Sequence, residues 1–158
     1  MKGIDIQIES LRKTFEDHLW LDFFNSFNGR CMRNYRDKMI PEVLNPGSLN
    51  YNEVLLDDTK TSISFFDVLP ERTEQKATVH IYFAVNLSKL YPSVSERATE
   101  YALSDAILLI RTHGLFTIEG ITDGYESWSN WDKVKREDNM HPFYLFRIET
   151  TVEYKLTC

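Results

Sequence analysis

Four histidines are the side chains of this chain best suited to bind a metal or to transfer a proton at neutral pH. They are His18, His80, His113 and His141. No two have His-x-x-x-His spacing, and the sequence contains no Cys-x-x-Cys, so we expect no metal site. His80 falls on the polar side of a predicted strand. His113 falls in the last turn of a predicted helix, where the helix dipole would favour a partly charged imidazole.

Asp57 and Asp58 form the one adjacent acidic pair in a turn-like setting. Such a pair can act as acid and base or bind a hard cation, but the further oxygen ligands of a calcium loop are missing, and turn formation is favoured. Arginines near Cys31 would lower its thiol pKa, yet no positioned base is evident. Because phosphate loops and nucleophile elbows are also absent from the sequence, we expect no enzyme activity and no cofactor.

The amino-acid composition is typical of a single folded domain. The chain has 158 residues, 42% of them hydrophobic, and a formal net charge of −6. We expect a single domain, 1–158, and the negative charge disfavours a dedicated nucleic-acid binder. Asp5 and Glu9 occupy positions where a signal peptide needs apolar residues, so we expect a soluble, intracellular protein. Cys31 and Cys158 suggest reduced thiols rather than a disulfide framework.

Two groups of residues are candidates for an interface. A basic, aromatic patch contains Arg30, Arg33, Tyr35, Arg36 and Lys38. The patch would contact either phosphates or, as the overall charge favours, an acidic neighbouring protein.

The second group is a pair of tryptophans in a polar segment, Trp128 and Trp131. Exposed tryptophan is costly and is enriched at interfaces. The pair therefore either folds back onto the core or anchors a partner. We take Arg33, Arg36, Trp128 and Trp131 as candidate interface residues.

Two amphipathic helices are predicted. The first has an apolar face from Ile4 to Phe23 and ends before Asn28-Gly29. The second runs over 94–113, begins at a capping box of Ser93 and Glu96, and stops at Gly114.

Strands are predicted over 52–56, 61–66, 79–87 and 115–121, with a polar loop over 71–76. The last strand is the longest, because apolar and polar residues alternate from Phe143 to Thr157. At about 3.3 Å per residue it would span about 45 Å, which suits a strand that pairs with a neighbouring subunit. We expect an α+β fold, a mainly antiparallel sheet with both helices on one face.

Several segments together resemble a known family. They are Met-Ile-Pro-Glu-Val at 39–43, Tyr-Asn-Glu-Val-Leu-Leu-Asp-Asp at 51–58, Ser-Phe-Phe-Asp-Val at 64–68, and Asn-Leu-Ser-Lys-Leu-Tyr-Pro at 86–92 leading to Arg97 and Ala98. This set resembles small head-to-tail neck proteins of tailed bacteriophages, notably crAss-like phages, and the order of elements is similar to the tail-terminator fold.

The resemblance implies a structural virion protein, assembled in the host bacterial cytoplasm. Six or twelve identical copies would form a ring in the head–tail connector, between portal, neck and tail proteins, with DNA only passing through its channel and no membrane partner. Glu149 and Glu153, on the charged face of the last strand, are candidates to line that channel.

Two alternatives remain open. The first is an adaptor or binding module outside a virion that uses an exposed edge strand and the tryptophan segment. The second and weakest is a small hydrolase or nucleotide enzyme built on Asp57, Asp58 and a histidine.

Overall fold

The computed structural model describes residues 3–18, 30–33, 39–42, 62–93, 97–128 and 142–154. Its elements in chain order are α1 (Ile4–His18), β1 (Arg30–Arg33), β2 (Met39–Glu42), β3 (Ser62–Arg72), β4 (Lys76–Asn86), α2 (Leu87–Leu90), α3 (Ala98–His113), β5 (Phe116–Asp123), a 3-10 helix (Tyr125–Trp128) and β6 (Phe143–Glu153). The predicted strand at 52–56, the aspartates Asp57 and Asp58, His141, and the extension of the first helix to Phe23 lie outside these residues.

The described strands form one six-stranded sheet in the order β2-β1-β3-β4-β6-β5. Every neighbouring pair is antiparallel except β1 and β3, which run parallel. The predicted α+β class is therefore confirmed, and the sheet is mainly antiparallel as expected.

The long terminal strand has the predicted alternation, but it lies inside the sheet and not at its edge. β6 pairs with β4 along its whole length and with β5 on its other side. A strand with two partners inside the chain has no free hydrogen-bonding edge for a neighbouring subunit. The expectation that β6 is handed to another copy is therefore wrong, and β5 is the outer strand on this side of the described sheet.

Both long helices pack on the same face of the sheet, which we call the helix face. Leu11 and Phe15 of α1 are fully buried there, as are Ala102 and Ala106 of α3. Small alanines let α3 lie close to the strands, whose contribution is the row of odd-numbered residues of β4 and even-numbered residues of β6. Members of this row are Val79, Ile81, Phe83, Val85, Phe146, Ile148 and Val152. Each paired side chain projects to the same side as its partner across the ladder, so this face is continuous.

Thr150 is the one polar member of that row among the described residues, and it is fully buried. Its hydroxyl donates a hydrogen bond of 2.8 Å to the carbonyl oxygen of Val79 on the neighbouring strand. The buried hydroxyl is thus satisfied, which removes most of the penalty for placing it in the core.

The start of α3 differs from the prediction, whereas its end agrees. The helix begins at Ala98, and its N-cap is Arg97, which has φ 60° and makes no side-chain capping bond. The capping box that places Ser93 at the N-cap is therefore wrong. A short helix, α2, precedes α3, and Asn86 caps it by accepting a hydrogen bond from the Lys89 amide at 3.3 Å. Gly114 ends α3 with φ 86°, as its glycine predicted.

The loop predicted over 71–76 is shorter in the structure. β3 continues to Arg72 and β4 starts at Lys76. The Thr73 hydroxyl accepts hydrogen bonds within this turn, one of them from the Lys76 amide at 3.0 Å. Polar composition alone marked the segment as a loop, but its ends belong to the hairpin. None of the helices in the described ranges has the length and hydropathy to cross a membrane.

Candidate functional site on the second face of the sheet

The face of the sheet opposite the helices, which we call the second face, is divided into an apolar half and a polar half. The apolar half contains Phe65, Tyr82, Ala84 and Leu145, all of which are buried. The polar half consists of alternate residues of β4, β5 and β6 that are partly or fully exposed: Thr78, His80, Thr117, Glu119, Glu149 and Thr151. Because these side chains are buried, another part of the chain must cover the apolar half.

Trp128 provides part of that cover. Its side chain is 1% exposed, and its ring makes edge contacts with Tyr82 at 5.6 Å and with Phe65 at 6.3 Å between centroids. The indole Nε1 donates to the Phe83 carbonyl oxygen at 3.2 Å. Of the two alternatives for this tryptophan, the structure therefore shows the core. Trp128 presents almost no surface to a partner and is removed from the interface candidates.

Of the other three interface candidates, the structure describes only Arg33. Trp131 and Arg36 lie outside the described residues. Arg33 is the last residue of β1, next to the outermost strand β2 on the side of the sheet away from β5.

Arg147 joins the covered half to the polar half. One terminal nitrogen donates to Glu149 Oε1 at 2.9 Å and, more weakly, to Thr122 Oγ1 at 3.4 Å. The other donates to the Ser127 carbonyl oxygen at 3.4 Å, and the guanidinium carbon lies 5.9 Å from the centre of the Tyr82 ring. A planar guanidinium can make these contacts at once, whereas a lysine ammonium cannot. The arginine therefore ties the 3-10 helix to β5 and β6.

Gly120 makes room for the Glu149 carboxylate beside Arg147. The pairing of β5 with β6 shifts register between Ile118 and Gly120. A Cβ placed on Gly120 would lie 3.0 Å from Glu149 Oε2. The bulge and the missing side chain together let the carboxylate lie across β5 while it pairs with the arginine.

The two predicted channel residues both lie on the second face but differ in their surroundings. Glu149 is partly exposed and is paired with Arg147. Glu153, at the end of β6, is exposed and stands opposite Lys76 in the register. Sequence reasoning missed a third acidic residue, Glu119 of β5, whose carboxylate accepts a hydrogen bond from Thr151 at 3.0 Å. The sequence did not reveal it as part of this site, because alternation along β5 does not show that β5 pairs with β6 beside Glu149.

A row of ionisable residues crosses the second face. Asp67, His80 and Glu149 are consecutive partners in the register of β3, β4 and β6. Side chains in such positions are about 4.5–5.5 Å apart at Cβ and are neighbours on the face. Asp67 is 4% exposed, which sequence reasoning did not anticipate for a charged residue. Within the described residues, His, Cys, Asp and Glu form no group of three or more that could hold a metal ion.

A second polar pair connects the two long helices. Ser10 Oγ and His113 Nε2 lie 2.8 Å apart and share a hydrogen bond. Burial lowers the pKa of His113, so its imidazole is neutral at pH 7, contrary to the expected partly charged form. The other ring nitrogen, Nδ1, is buried and has no hydrogen-bond partner among the residues that the structure describes. The hydrogen bond joins α1 to α3 and contributes to the packing of the two helices.

Tyr144 fixes the end of β5 on the helix face. Its hydroxyl donates to Asp123 Oδ2 at 3.1 Å. Burial, with this hydrogen bond as the next cause, raises the pKa of Tyr144 above its ordinary value. The hydroxyl therefore remains a donor at all physiological pH values, and Asp123 is held at the outer strand.

Comparisons of the chain with protein-family models, with curated proteins and with solved structures found no match.

Proposed function

We propose that the chain is a structural subunit of a homo-oligomeric ring in the head–tail connector of a tailed bacteriophage, with the second face of the sheet towards a DNA channel. The observation that carries the proposal is the contrast between the faces. Two helices bury the middle of one face, while half of the other remains polar and carries Glu119, Glu149 and Glu153. A long, stiff sheet with one wet face suits the wall of a water-filled channel.

The charges of the polar half support the same proposal. Opposite its three glutamates stand Lys76 and Arg147, and Arg147 is already paired with Glu149. Lys76 stands opposite Glu153 in the register, so among these five residues Glu119 carries the one surplus negative charge. A channel wall of this sign repels the phosphates of DNA, so the nucleic acid passes without binding. Hydroxyl groups of Thr78, Thr117 and Thr151 keep the remaining surface hydrated.

The outer strands support assembly from identical copies. β5 and β2 stand at opposite ends of the described sheet, so one copy can present its β5 side to the β1–β2 side of the next. Such a contact joins two different surfaces, and it closes into a ring when the rotation between copies fits.

The experiment is the native mass of the purified, untagged chain over a concentration series, with negative-stain images of the largest species. We expect closed rings of one size with a central hole. A monomer at every concentration would contradict a ring that assembles by itself. A stable monomer that binds one specific peptide would instead favour the adaptor alternative.

A further inference from the structure

The two outer strands of the described sheet differ in how well their free edges are protected. β2, at one end, has four residues, one of which is Pro41. Short length and proline, which has no backbone N–H, are two ways in which proteins keep an outer strand from pairing with other chains. β5, at the other end, has eight residues and no proline. β5 is therefore the outer strand that is better able to accept a further strand.

The edge of β5 that faces away from β6 has no backbone partner among the described residues. β5 pairs with β6 alone, and no turn or loop in the described ranges forms a backbone hydrogen bond to it. Antiparallel pairing with one neighbour uses the N–H and C=O groups of alternate residues, so the others point away from β6. An extended peptide can bind such an edge by adding a strand to the sheet. We call this edge the open edge of β5.

The charged side chains beside the open edge are all acidic. The segment 116–126 contains Glu119, Asp123 and Glu126, each of them exposed, and no lysine or arginine. Glu119 lies on the second face and Asp123 on the helix face, and each accepts a hydrogen bond from a β6 side chain. A carboxylate is thus held beside the open edge on each face of the sheet.

The bulge in β5 limits regular pairing to the second part of the strand. The register with β6 shifts between Ile118 and Gly120 and is regular from Gly120 to Asp123. In this part Ile121, which is 42% exposed, and Asp123 are two positions apart and project to the same face. A strand added there would place its own side chains opposite both residues, and it complements them best with an apolar residue and a basic residue two positions apart.

We propose that the open edge of β5 binds an extended segment of a partner protein in which a lysine or arginine lies two positions from an apolar residue. Main-chain hydrogen bonds hold the segment as an added strand, and the carboxylates select its basic side chains. A second β5 is a poor occupant, because like charges opposite each other are unfavourable. The inference goes beyond the proposed ring and does not depend on it. Within a ring, the added strand would lie between one copy and the next.

A set of fluorescent peptides tests the chemistry of the occupant by anisotropy with the wild-type protein. The basic peptide is Thr-Lys-Thr-Val-Thr-Lys-Thr, which places valine opposite Ile121 and a lysine opposite Asp123 in either strand direction. Its matched control has glutamate in place of both lysines. Two further versions of the basic peptide are N-methylated, one at the lysines and valine and the other at the threonines. We expect the basic peptide to bind and the glutamate peptide not to bind.

The N-methylated peptides distinguish an added strand from simple charge attraction. A strand directs the N–H groups of alternate residues to the same edge, so only one of the two methylated sets faces β5. We expect one methylated peptide to lose binding and the other to keep it.

Variants of the protein locate the binding site. Glu119→Gln/Asp123→Asn removes both charges but keeps hydrogen-bond acceptors, and we expect it to weaken binding of the basic peptide by about tenfold, as two cross-strand ion pairs allow. Asp17→Asn/Glu74→Gln removes two exposed carboxylates outside β5 with the same net change and should bind like the wild type. Circular dichroism should show that both variants are folded.

The inference is wrong if the basic peptide does not bind, or if the glutamate peptide binds equally well. It is also wrong if both methylated peptides bind alike, or if Glu119→Gln/Asp123→Asn leaves the affinity unchanged. Native mass of the same wild-type samples decides the ring separately. Closed rings that do not bind the basic peptide would overturn only this inference, and a monomer that binds it would overturn only the ring.

Discussion

The two faces of the sheet are covered by different parts of the chain. On the helix face, α1 and α3 bury aliphatic and aromatic side chains from β3, β4, β5 and β6. On the second face, among the described residues, one tryptophan and one arginine connect a 3-10 helix to the strands, and half of the face remains polar. The helix face therefore carries stability, and the second face combines stability in one half with a surface for contact in the other. The following changes test this division.

The largest expected effect follows from removing the cover of the apolar half. Trp128→Ala should lower the free energy of unfolding by about 3–5 kcal/mol, as large aromatic truncations in cores do. Phe83→Ala on the helix face should cost a similar amount. Leu108→Ala, at a position that is 62% exposed, should change stability by less than about 0.5 kcal/mol. Urea unfolding measures all three, and a neutral Trp128→Ala would show that the second face is not part of the core.

Arg147 and Arg12 provide a matched pair of arginines for the next comparison. Their side chains are 17% and 18% exposed, and each pairs with glutamate. Arg12 pairs with Glu9 and Glu16 of its own helix, and Arg147 of β6 contacts both β5 and the 3-10 helix.

We expect Arg147→Met to cost about 1–2 kcal/mol, between the values for exposed and buried pairs, and Arg12→Met to cost about 0.5 kcal/mol. Equal losses in urea unfolding would contradict a bridging role for Arg147.

Gly120→Ala tests whether the bulge in β5 leaves room for the Glu149 side chain. The new methyl group would meet the end of a flexible side chain, so Glu149 must shift, while alanine lowers the entropy of the unfolded chain. The two effects nearly cancel, and we expect a change below about 0.5 kcal/mol. In a Glu149→Ala background the crowding is absent, so the same substitution should stabilise by about 0.4–1 kcal/mol. A double-mutant cycle that shows no coupling would mean that Gly120 does not accommodate Glu149.

Charge on the polar half should affect DNA passage rather than folding. Because Arg147 offsets Glu149, the sharper variant of the channel test is Glu119→Lys/Glu153→Lys, with Glu149→Lys/Glu153→Lys as a second variant. Genome ejection from phage particles that carry either variant should be slower, and thermal unfolding should change little. The control is Asp17→Lys/Glu74→Lys, which changes two exposed acidic residues outside β5 and β6. Unchanged ejection kinetics would mean that the second face does not line the channel.

The smallest effect is a dependence of stability on pH through His113. Burial lowers its folded-state pKa below the ordinary value of 6.5, so the folded state prefers the neutral imidazole. The contribution of neutral His113 to the free energy of unfolding is present above pH 6.5 and is lost as the pH falls through the lowered pKa. His113→Gln should flatten the stability profile in that window. Unfolding midpoints between pH 5 and 7.5 measure the difference.

The spacing of apolar residues along the sequence predicts much of this fold. The alternation of β4 and β6 and the glycine at the end of α3 predicted the elements correctly, because side-chain spacing reports local backbone geometry. The order of strands was not readable. Length and alternation made β6 look like an edge strand, whereas pairing with β4 and β5 places it inside the sheet.

The candidate site was only partly predictable for the same reason. Alternation predicted that Glu149 and Glu153 share a face, but Glu119 joins them only because β5 pairs with β6, which no local signal predicts. Trp128 lies in a polar stretch of sequence, and only its tertiary contacts with Tyr82 and Phe65 reveal that it is core. Local signals predict which residues share a strand face. They do not predict what covers that face.

The most direct test of the division between the faces is the accessibility of one residue on each face in the assembled protein. Thr78→Cys reports on the polar half, and Leu108→Cys reports on the outer surface of α3, both with Cys31 and Cys158 replaced by serine. Each variant is labelled with biotin as a monomer, assembled, and probed with streptavidin, which is too wide to enter a narrow channel. We predict that streptavidin binds assembled particles only through position 108. Binding through position 78, with position 108 blocked, would contradict the account.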